Sequence, residues 1–285
     1  MRVCQGVAQI GRADAVLPRG SAGGEAGAHS CCKHESCGQD LLGFGANDAD
    51  TLRTTFSAIC EIDADDGVRY DSQSMRIAAI REDNFYGGLR LVVTAFVGSA
   101  RLPVQVDIGF GDAITPAPET VTYPTLLEDL AAPCLRAYPV YTVIAEKLHA
   151  MVVLGMNNSR MKDFYDLAVI ARTSALDGGT LVDAIRATFA RRDTPLPTAA
   201  PVALTAEFAE SPIKAGQWNA FVTKAGLQAT TLQEVAMTME AFLWPAIEAC
   251  SLSDRFGKKW RPEPRKWIAC EASRVSVIRA QPAKR

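Results

Sequence analysis

The sequence predicts an α+β fold in which a β-sheet region is followed by a helical bundle. Apolar runs with strand-like alternation fill residues 74–111, and glycines stand where the chain has to turn between strands. After residue 141 the apolar spacing becomes that of amphipathic helices. Five prolines between residues 116 and 139 mark an extended connection between the two regions. A run of strands followed by a run of helices is typical of α+β proteins.

The sheet region begins at residue 40, where the composition changes. Residues 1–39 contain no aromatic residue and no sustained period, so we expect them to be unstructured or poorly structured. Asp40 opens a short apolar run that predicts a buried strand, and Asn47 or Asp48 can cap the helix that follows. Three more strands are predicted at residues 74–82, 88–98 and 101–111, with turns at Gly87-Gly88 and Gly98-Ser99.

The helical bundle is predicted from five amphipathic segments with prolines or glycines near their ends. These segments cover residues 142–156, 161–173, 179–192, 212–224 and 231–249. The chain therefore divides into an atypical segment at 1–39, an α/β part at 40–139, a helical bundle at 140–250 and a basic tail at 251–285.

The charges are distributed unevenly along the chain. Its 285 residues are 48% hydrophobic, which fits one large or two small globular domains. Ten of the 30 basic residues but only two of the 32 acidic ones lie within residues 255–285, so the rest of the chain has a net charge of -10. A basic tail could contact nucleic acid, but we expect a solvated, partly disordered terminus. Trp260 and Trp267 in this tail could stack on RNA bases, and we expect instead that they dock onto the bundle.

The sequence shows no membrane or secretion signal. No stretch approaches the roughly 20 consecutive apolar residues of a membrane span, and no apolar segment marks a signal peptide, so we expect a cytoplasmic protein without a membrane partner. Five zinc-ligand types are crowded near the N-terminus, but they contain no Cys-x-x-Cys pair, and zinc is the weaker interpretation. They are His29, Cys31, Cys32, His34 and Cys37.

One predicted strand carries an acid between apolar neighbours. Asp107 lies between Val106 and Ile108, and the period of two places it on the opposite face from both. An acid in such a strand is costly unless it is paired or binds a cation. Two interpretations stay open, a cation-binding acid and an edge-strand acid that faces water. Asp112, at the strand end, could cap a turn.

The helical region carries a second group of charged residues. Lys147 lies in one predicted helix, while Asp163 and Asp166 share a face of the next helix, with Lys162 beside them. Helix-dipole compensation and ion pairs explain each residue separately. If these helices converge with the acid-bearing strand, the set suits divalent-metal binding and phosphate neutralisation. His149 falls on a different helix face from Lys147, and we expect it to be a packing histidine.

These segments together resemble the AbiEii-type nucleotidyltransferase toxin family. The resemblance runs from about residue 40 to about residue 243 and is most specific in VQVDIGFGD, AEKLHAM and SRMKDFYDL. It implies a polymerase-β-like nucleotidyltransferase fold, with residues 40–139 as the nucleotidyltransferase-like part. It also implies an enzyme that transfers a nucleotide from an NTP with Mg²⁺, in some members to tRNA ends. Members are the toxin half of a toxin–antitoxin pair, so a cognate antitoxin is an expected partner.

The resemblance assigns roles to individual residues. Asp40 matches the second acid of the family's strand pair and Asp107 the acid of the neighbouring strand, so both are expected to be catalytic and to hold the metal. Lys147 matches the lysine near the triphosphate, and Asp163 matches the first acid of the Lys-Asp-x-x-Asp-Leu motif, so both are also expected to be catalytic. The residues expected to bind the nucleotide are Lys147, Lys162 and Asp166.

The N-terminal part of the family's motif is incomplete in this chain. Gly38 stands in the place of the first acid, and no Gly-Gly-Thr/Ser turn precedes it. Loss of a carboxylate and of the phosphate-binding turn is expected to weaken or abolish nucleotide transfer. A shifted reading frame or a mis-assigned start for residues 1–39 is our leading explanation.

Three functional hypotheses stay open at this point. The first is a nucleotidyltransferase that acts on an RNA, such as tRNA, or on a protein acceptor, with impaired activity. The second is an inactive relative that binds nucleotide, RNA or antitoxin. The third is a truncated product that folds poorly.

Overall fold

The computed structural model describes residues 15–18, 38–43, 47–80, 88–122, 132, 134–228, 230–252 and 256–269. In these residues the chain forms a seven-stranded β-sheet, a small three-stranded sheet and seven α-helices. The predicted α+β architecture, with the sheet ahead of the helical bundle, is confirmed. None of the helices in the described ranges is long and apolar enough to cross a membrane.

The large sheet takes its strands from the first half of the chain. They are β1 (Ala15–Pro18), β2 (Gly38–Gly43), β3 (Val68–Ile80), β4 (Gly88–Val97), β5 (Ala100–Phe110), β6 (Glu119–Thr122) and β7 (Cys134–Tyr138). Their order across the sheet is β3-β4-β5-β2-β1-β7-β6. Strands β3, β4 and β5 form an antiparallel meander, and β2 pairs in parallel with β5. β5 is therefore an interior strand, with β4 on one side and β2 on the other.

One helix packs against the sheet, and the other six form the bundle. The first is α1 (Ala49–Cys60), which begins as predicted, with the carboxylate of Asp48 accepting a hydrogen bond from the Thr51 amide at 2.7 Å. The bundle helices are α2 (Val140–Leu154), α3 (Met161–Thr173), α4 (Gly178–Arg191), α5 (Ala206–Glu210), α6 (Pro212–Ala225) and α7 (Leu232–Cys250). All five predicted bundle segments are confirmed as helices.

The two faces of the large sheet pack against different cores. The core on one face joins α1 to the sheet and contains Leu52, Phe56, Ile59, Leu91, Val106 and Ile108. On the other face, Leu42 of β2 belongs to the core of the bundle. Leu42 pairs with Gly109, and side chains alternate along a strand, so Asp107 shares this second face. The sheet therefore directs Asp107 toward the bundle side.

The N-terminal segment takes part in the sheet, contrary to expectation. β1 and the first two residues of β2 precede residue 40, and β1 pairs with both β2 and β7. The prediction of an unstructured segment is wrong at these positions, because the pairing partners are distant in sequence and a four-residue strand is too short to show a period. β6 and β7 likewise form a hairpin in the connection that was predicted to be merely extended. Residues 29–37, with the zinc-ligand types, lie outside the described residues.

The basic tail contains a hairpin that packs on the bundle. Strands β9 (Lys258–Arg261) and β10 (Lys266–Ala269) pair with each other, and β9 also pairs with β8 (Leu176–Asp177). The indole N–H of the fully buried Trp260 donates to the Ala171 carbonyl at 2.7 Å, and that of Trp267 to the Phe242 carbonyl at 2.9 Å. Docking of both tryptophans is confirmed. The expectation of disorder is wrong for residues 256–269, because the buried Trp260 and the half-buried Trp267 stabilise a hairpin whose other side chains are mostly exposed.

Candidate active site

Asp107 lies in the middle of the large sheet and is held by an arginine. Arg90 of β4 pairs with it in the antiparallel register, and the guanidinium donates to both carboxylate oxygens, from Nε to Oδ1 and from Nη2 to Oδ2, at 2.7 Å each. The amide nitrogen of Gln105 lies 3.3 and 3.2 Å from the same two oxygens. The edge-strand interpretation of Asp107 is wrong, because its strand has a neighbour on each side.

Asp40 occupies on β2 the register position that Asp107 occupies on β5. The two acids therefore lie side by side on neighbouring parallel strands. Gly38 and Leu42 precede and follow Asp40 by two residues, and neither carries a carboxylate. β2 thus carries one acid, where the resemblance to the family implies a pair.

The donor set on this face does not fit a magnesium ion. Mg²⁺ takes oxygen ligands in octahedral geometry and is bound by carboxylates whose lone pairs are available to it. Here both oxygens of Asp107 accept hydrogen bonds from Arg90, and β2 supplies a single acid. Within the described part of the chain, no group of three or more His, Cys, Asp or Glu side chains is placed to hold a metal ion.

A second group of charges lies where α2 meets α3. Nζ of Lys147 donates to Asp163 and lies 2.9 Å from Oδ2 of Asp166. Nζ of Lys162 donates to the same Asp166 oxygen at 2.7 Å. These four residues, here called the lysine–aspartate cluster, meet in space, whereas Asp107 accepts hydrogen bonds from sheet residues.

Lys147 is the less exposed of the two cations in this cluster. Its side chain is 18% exposed, against 63% for Lys162. Burial lowers the pKa of Lys147, but Asp166 and Asp163 together raise it by more, so the pKa lies above its ordinary value and the ammonium stays charged at neutral pH. An ammonium has three N–H donors. Two of these donors serve Asp163 and Asp166.

A groove of about 590 Å³ borders the cluster, between the start of α3 and the face of α6. Among the residues that line it are Ser159, Arg160, Lys162, Asp163, Gln217 and Phe221. The groove and the cluster therefore share Lys162 and Asp163. Beneath it, the buried Lys214 donates to Oε1 of Gln217 at 3.1 Å and to the Asn158 carbonyl at 2.9 Å. The bond to Oε1 leaves the amide nitrogen of Gln217 as the donor that can turn toward the groove.

The end of β5 is connected to the bundle through an arginine. Arg192 donates from Nη2 to Oδ1 of Asp112 at 3.1 Å, and its Nη1 lies 3.2 Å from Nδ1 of His149. On the other side of the ring, Nε2 of His149 lies 2.8 Å from Oγ1 of Thr194. Burial and the charge of Arg192 lower the pKa of His149 to about 4, although Asp112 acts in the opposite direction. His149 is therefore a neutral, buried histidine at pH 7, as expected.

Three residues around these groups were not predicted, and one of them could have been. That residue is Arg90. The turn at Gly98-Ser99 pairs Val97 with Ala100, and the same register, continued for seven residues along each strand, pairs Arg90 with Asp107. The other two are Arg192 and Lys214, whose partners Asp112 and Asn158 lie 80 and 56 residues away in the sequence. No local pattern indicates contacts at such separations.

Acids paired on neighbouring parallel strands and a lysine–aspartate cluster between two helices are the site features that the resemblance to nucleotidyltransferases predicted. A comparison with protein families matches residues 39–247 to a family described as nucleotidyl transferase AbiEii toxin of a type IV toxin–antitoxin system. The chain belongs to this AbiEii nucleotidyltransferase toxin family, and the resemblance deduced from its motifs is confirmed.

Two solved structures from Helicobacter pylori are similar to this chain. One is provisionally assigned as a nucleotidyltransferase and superposes with a TM-score of 0.46, and the other is the protein JHP933, with a TM-score of 0.44. Each is 14% identical, and the alignments cover 87% of this chain and 92% and 89% of the respective H. pylori chains. A search of curated proteins found no match.

Proposed function

We propose that this protein is a nucleotidyltransferase toxin that binds an NTP at the lysine–aspartate cluster and transfers its nucleotide, slowly, to an RNA acceptor. The expected acceptor is tRNA, and a protein acceptor is the alternative within the same reaction. The observation that carries the proposal is the half-buried ammonium of Lys147, which is held by Asp166 and by Asp163, a residue that also lines the groove. Membership of a toxin–antitoxin family makes a cognate antitoxin the expected protein partner.

Lys147 suits the charge that develops during nucleotidyl transfer. The oxygen of an acceptor hydroxyl forms a bond to the α-phosphorus and loses its proton to solvent, the bond from that phosphorus to the bridging oxygen breaks, and pyrophosphate leaves. Negative charge accumulates on the phosphate oxygens, and a fixed ammonium stabilises it more than a mobile one does. We assign Asp163 and Asp166 the role of holding this ammonium in place and charged, and Lys162 that of a second, more exposed phosphate ligand.

The groove beside the cluster is the proposed place of the nucleoside. Its polar side is formed by Arg160 and Gln217 and its apolar side by the ring of Phe221. Aromatic rings stack on nucleobases, and an amide can donate to a base oxygen. The presence of Lys162 and Asp163 in both groove and cluster supports a single binding site for base and triphosphate.

The proposed transfer is slow because the acid set is incomplete. Asp40 and Asp107 are the proposed catalytic acids, and they are the positions at which the family's magnesium ion would be expected. Gly38 supplies no carboxylate, and Asp107 is paired with Arg90. The proposal therefore predicts nucleotide binding of ordinary strength and transfer of low rate.

Nucleotide binding by variants of the cluster tests this function. Lys147→Met removes the ammonium and keeps the chain length, and we expect the affinity for a fluorescent NTP to fall at least about tenfold. Lys162→Met is the matched variant at the more exposed lysine, and we expect it to lower the affinity for the NTP by less than Lys147→Met does. Lys147→Arg retains the charge with a different geometry, and its affinity for the NTP should lie between those of wild type and Lys147→Met. Thermal unfolding verifies that each variant is folded, and equal affinities of folded wild type and Lys147→Met would contradict the proposal.

A second candidate function is that of an inactive relative that binds nucleotide, RNA or antitoxin. The replacement of the first acid by Gly38 and the ion pair of Asp107 with Arg90 favour it. NTP binding without any incorporation of label into RNA or protein in the presence of Mg²⁺ would support this second function over the first.

A further inference from the structure

We propose that Arg90 takes the place of a metal ion at Asp107, so that a divalent cation can bind there only by displacing the guanidinium. This inference deepens the proposed function, because it gives a specific cause for slow transfer. Its test measures cation binding directly, so its outcome is independent of whether the protein transfers nucleotides.

Both carboxylate oxygens of Asp107 accept a hydrogen bond from Arg90. The fork of Arg90 places Nε on Oδ1 and Nη2 on Oδ2, each at 2.7 Å. Bidentate pairs of this kind are short and about twice as strong as neutral hydrogen bonds. The amide of Gln105 approaches both oxygens from the same strand. A metal ion chelated by both oxygens of Asp107 would need the two lone pairs that the fork of Arg90 occupies.

The register of the sheet fixes this pairing. Arg90 and Asp107 face each other within a continuous antiparallel ladder that runs from Leu89 and Ile108 to Val97 and Ala100. The side chain of Asp107 is 21% exposed and that of Arg90 is 45% exposed. A guanidinium remains charged at every pH at which proteins fold. Mild alkali therefore does not release Asp107 by neutralising its partner.

The charges beside Asp107 also support this inference. A second acid on β2 would add a negative charge that a dication could balance, but Gly38 and Leu42 add none. Arg90 already balances the single negative charge of Asp107. A dication placed next to Arg90 would also be repelled by it.

Manganese binding, measured by electron paramagnetic resonance of free Mn²⁺, tests the inference on the full chain. We expect wild type to bind Mn²⁺ at Asp107 weakly, and Arg90→Gln to bind one ion at least about tenfold more tightly. Adding Gly38→Asp to Arg90→Gln should tighten binding further. Adding Asp107→Asn to Arg90→Gln should abolish it, which assigns the ion to this face.

Arg101→Gln is the matched control, because Arg101 is an exposed arginine on the same strand as Asp107 but pairs with Phe96. It should leave the affinity for Mn²⁺ unchanged. Arg90→Lys keeps the charge but loses the fork, and its affinity should lie between wild type and Arg90→Gln. If folded wild type binds one Mn²⁺ as tightly as Arg90→Gln does, and Asp107→Asn removes it from both, Arg90 does not compete with the cation and the inference is wrong.

Discussion

Neighbouring groups fix the charge of single side chains inside the bundle. Lys147 and His149 lie two residues apart on α2, yet one is held charged and the other neutral. Burial lowers the pKa of both residues. Around Lys147 two carboxylates outweigh burial, whereas the positive charge of Arg192 adds to the effect of burial on His149. The difference follows from the partners of each residue and not from their positions in the sequence.

The low pKa of His149 predicts an acid-sensitive contribution to stability. The folded protein binds a proton at His149 only near pH 4, whereas the unfolded chain binds it near pH 6.5. Between these values the unfolded state holds more protons, so the free energy of unfolding falls as the pH falls, by about 2 to 3 kcal/mol for this residue. Urea denaturation of wild type and His149→Gln at pH 7 and pH 4.5 measures this. The decrease in the free energy of unfolding from pH 7 to pH 4.5 should be smaller in the variant. Equal decreases in the two proteins would show that His149 does not titrate in this way.

At the scale of elements, local periodicity predicted the helices and the meander well. Segments such as α4 and α7 have several turns with a repeated apolar face, and β4 and β5 are joined by a short glycine turn. β1 and β8 could not be predicted in the same way. Both are short, and their pairing partners are distant in the chain, so only the folded backbone brings them together.

The hairpin of β9 and β10 is a structural part of the bundle. A Cβ atom at Gly178, the first residue of α4, would lie 2.7 Å from the Lys258 carbonyl, so the helix and the hairpin approach each other closely. The rings of Trp260 and Trp267 pack on Phe242 of α7. These aromatic contacts hold the hairpin on the bundle, although its basic composition had indicated a solvated tail.

Trp260→Phe is predicted to destabilise the protein. The variant keeps an aromatic ring but leaves the Ala171 carbonyl without its donor in a buried site, which costs about 1 to 3 kcal/mol. Trp267→Phe is the control, because it loses an equivalent bond to the Phe242 carbonyl at a less buried position. Urea denaturation should show a larger decrease in the free energy of unfolding for Trp260→Phe than for Trp267→Phe. A Trp260→Phe variant as stable as wild type would mean that the hairpin contributes little to the fold.

At the scale of the whole molecule, the sheet and the bundle are connected at the end of β5. Arg191 donates to the Gly111 carbonyl, and Arg192 pairs with Asp112. At the start of α2, Oγ1 of Thr142 accepts from the amide of Thr115 at 3.1 Å. These contacts relate the strand that carries the acid Asp107 to the helix that carries the cation Lys147.

The candidate site could be predicted only in part, for a reason visible at this scale. The lysine–aspartate cluster follows from helical spacing within α3 and from the contact of α3 with the preceding helix. The family resemblance named both halves of the site, the acids on the sheet and the cluster in the bundle. The connection between the halves depends on contacts such as Arg192 with Asp112, which arise only when the chain is folded.

Transfer of label from NTP to RNA tests the proposed function most directly. Purified protein is incubated with each α-labelled NTP, Mg²⁺ and total tRNA, and the label in the RNA is measured for wild type, Asp107→Ala, Lys147→Met and the control Arg101→Gln. We predict slow incorporation by wild type and Arg101→Gln and none by Asp107→Ala or Lys147→Met. Absence of incorporation by wild type with all four NTPs, or undiminished incorporation by folded Asp107→Ala, would contradict the assignment of this protein as an RNA nucleotidyltransferase.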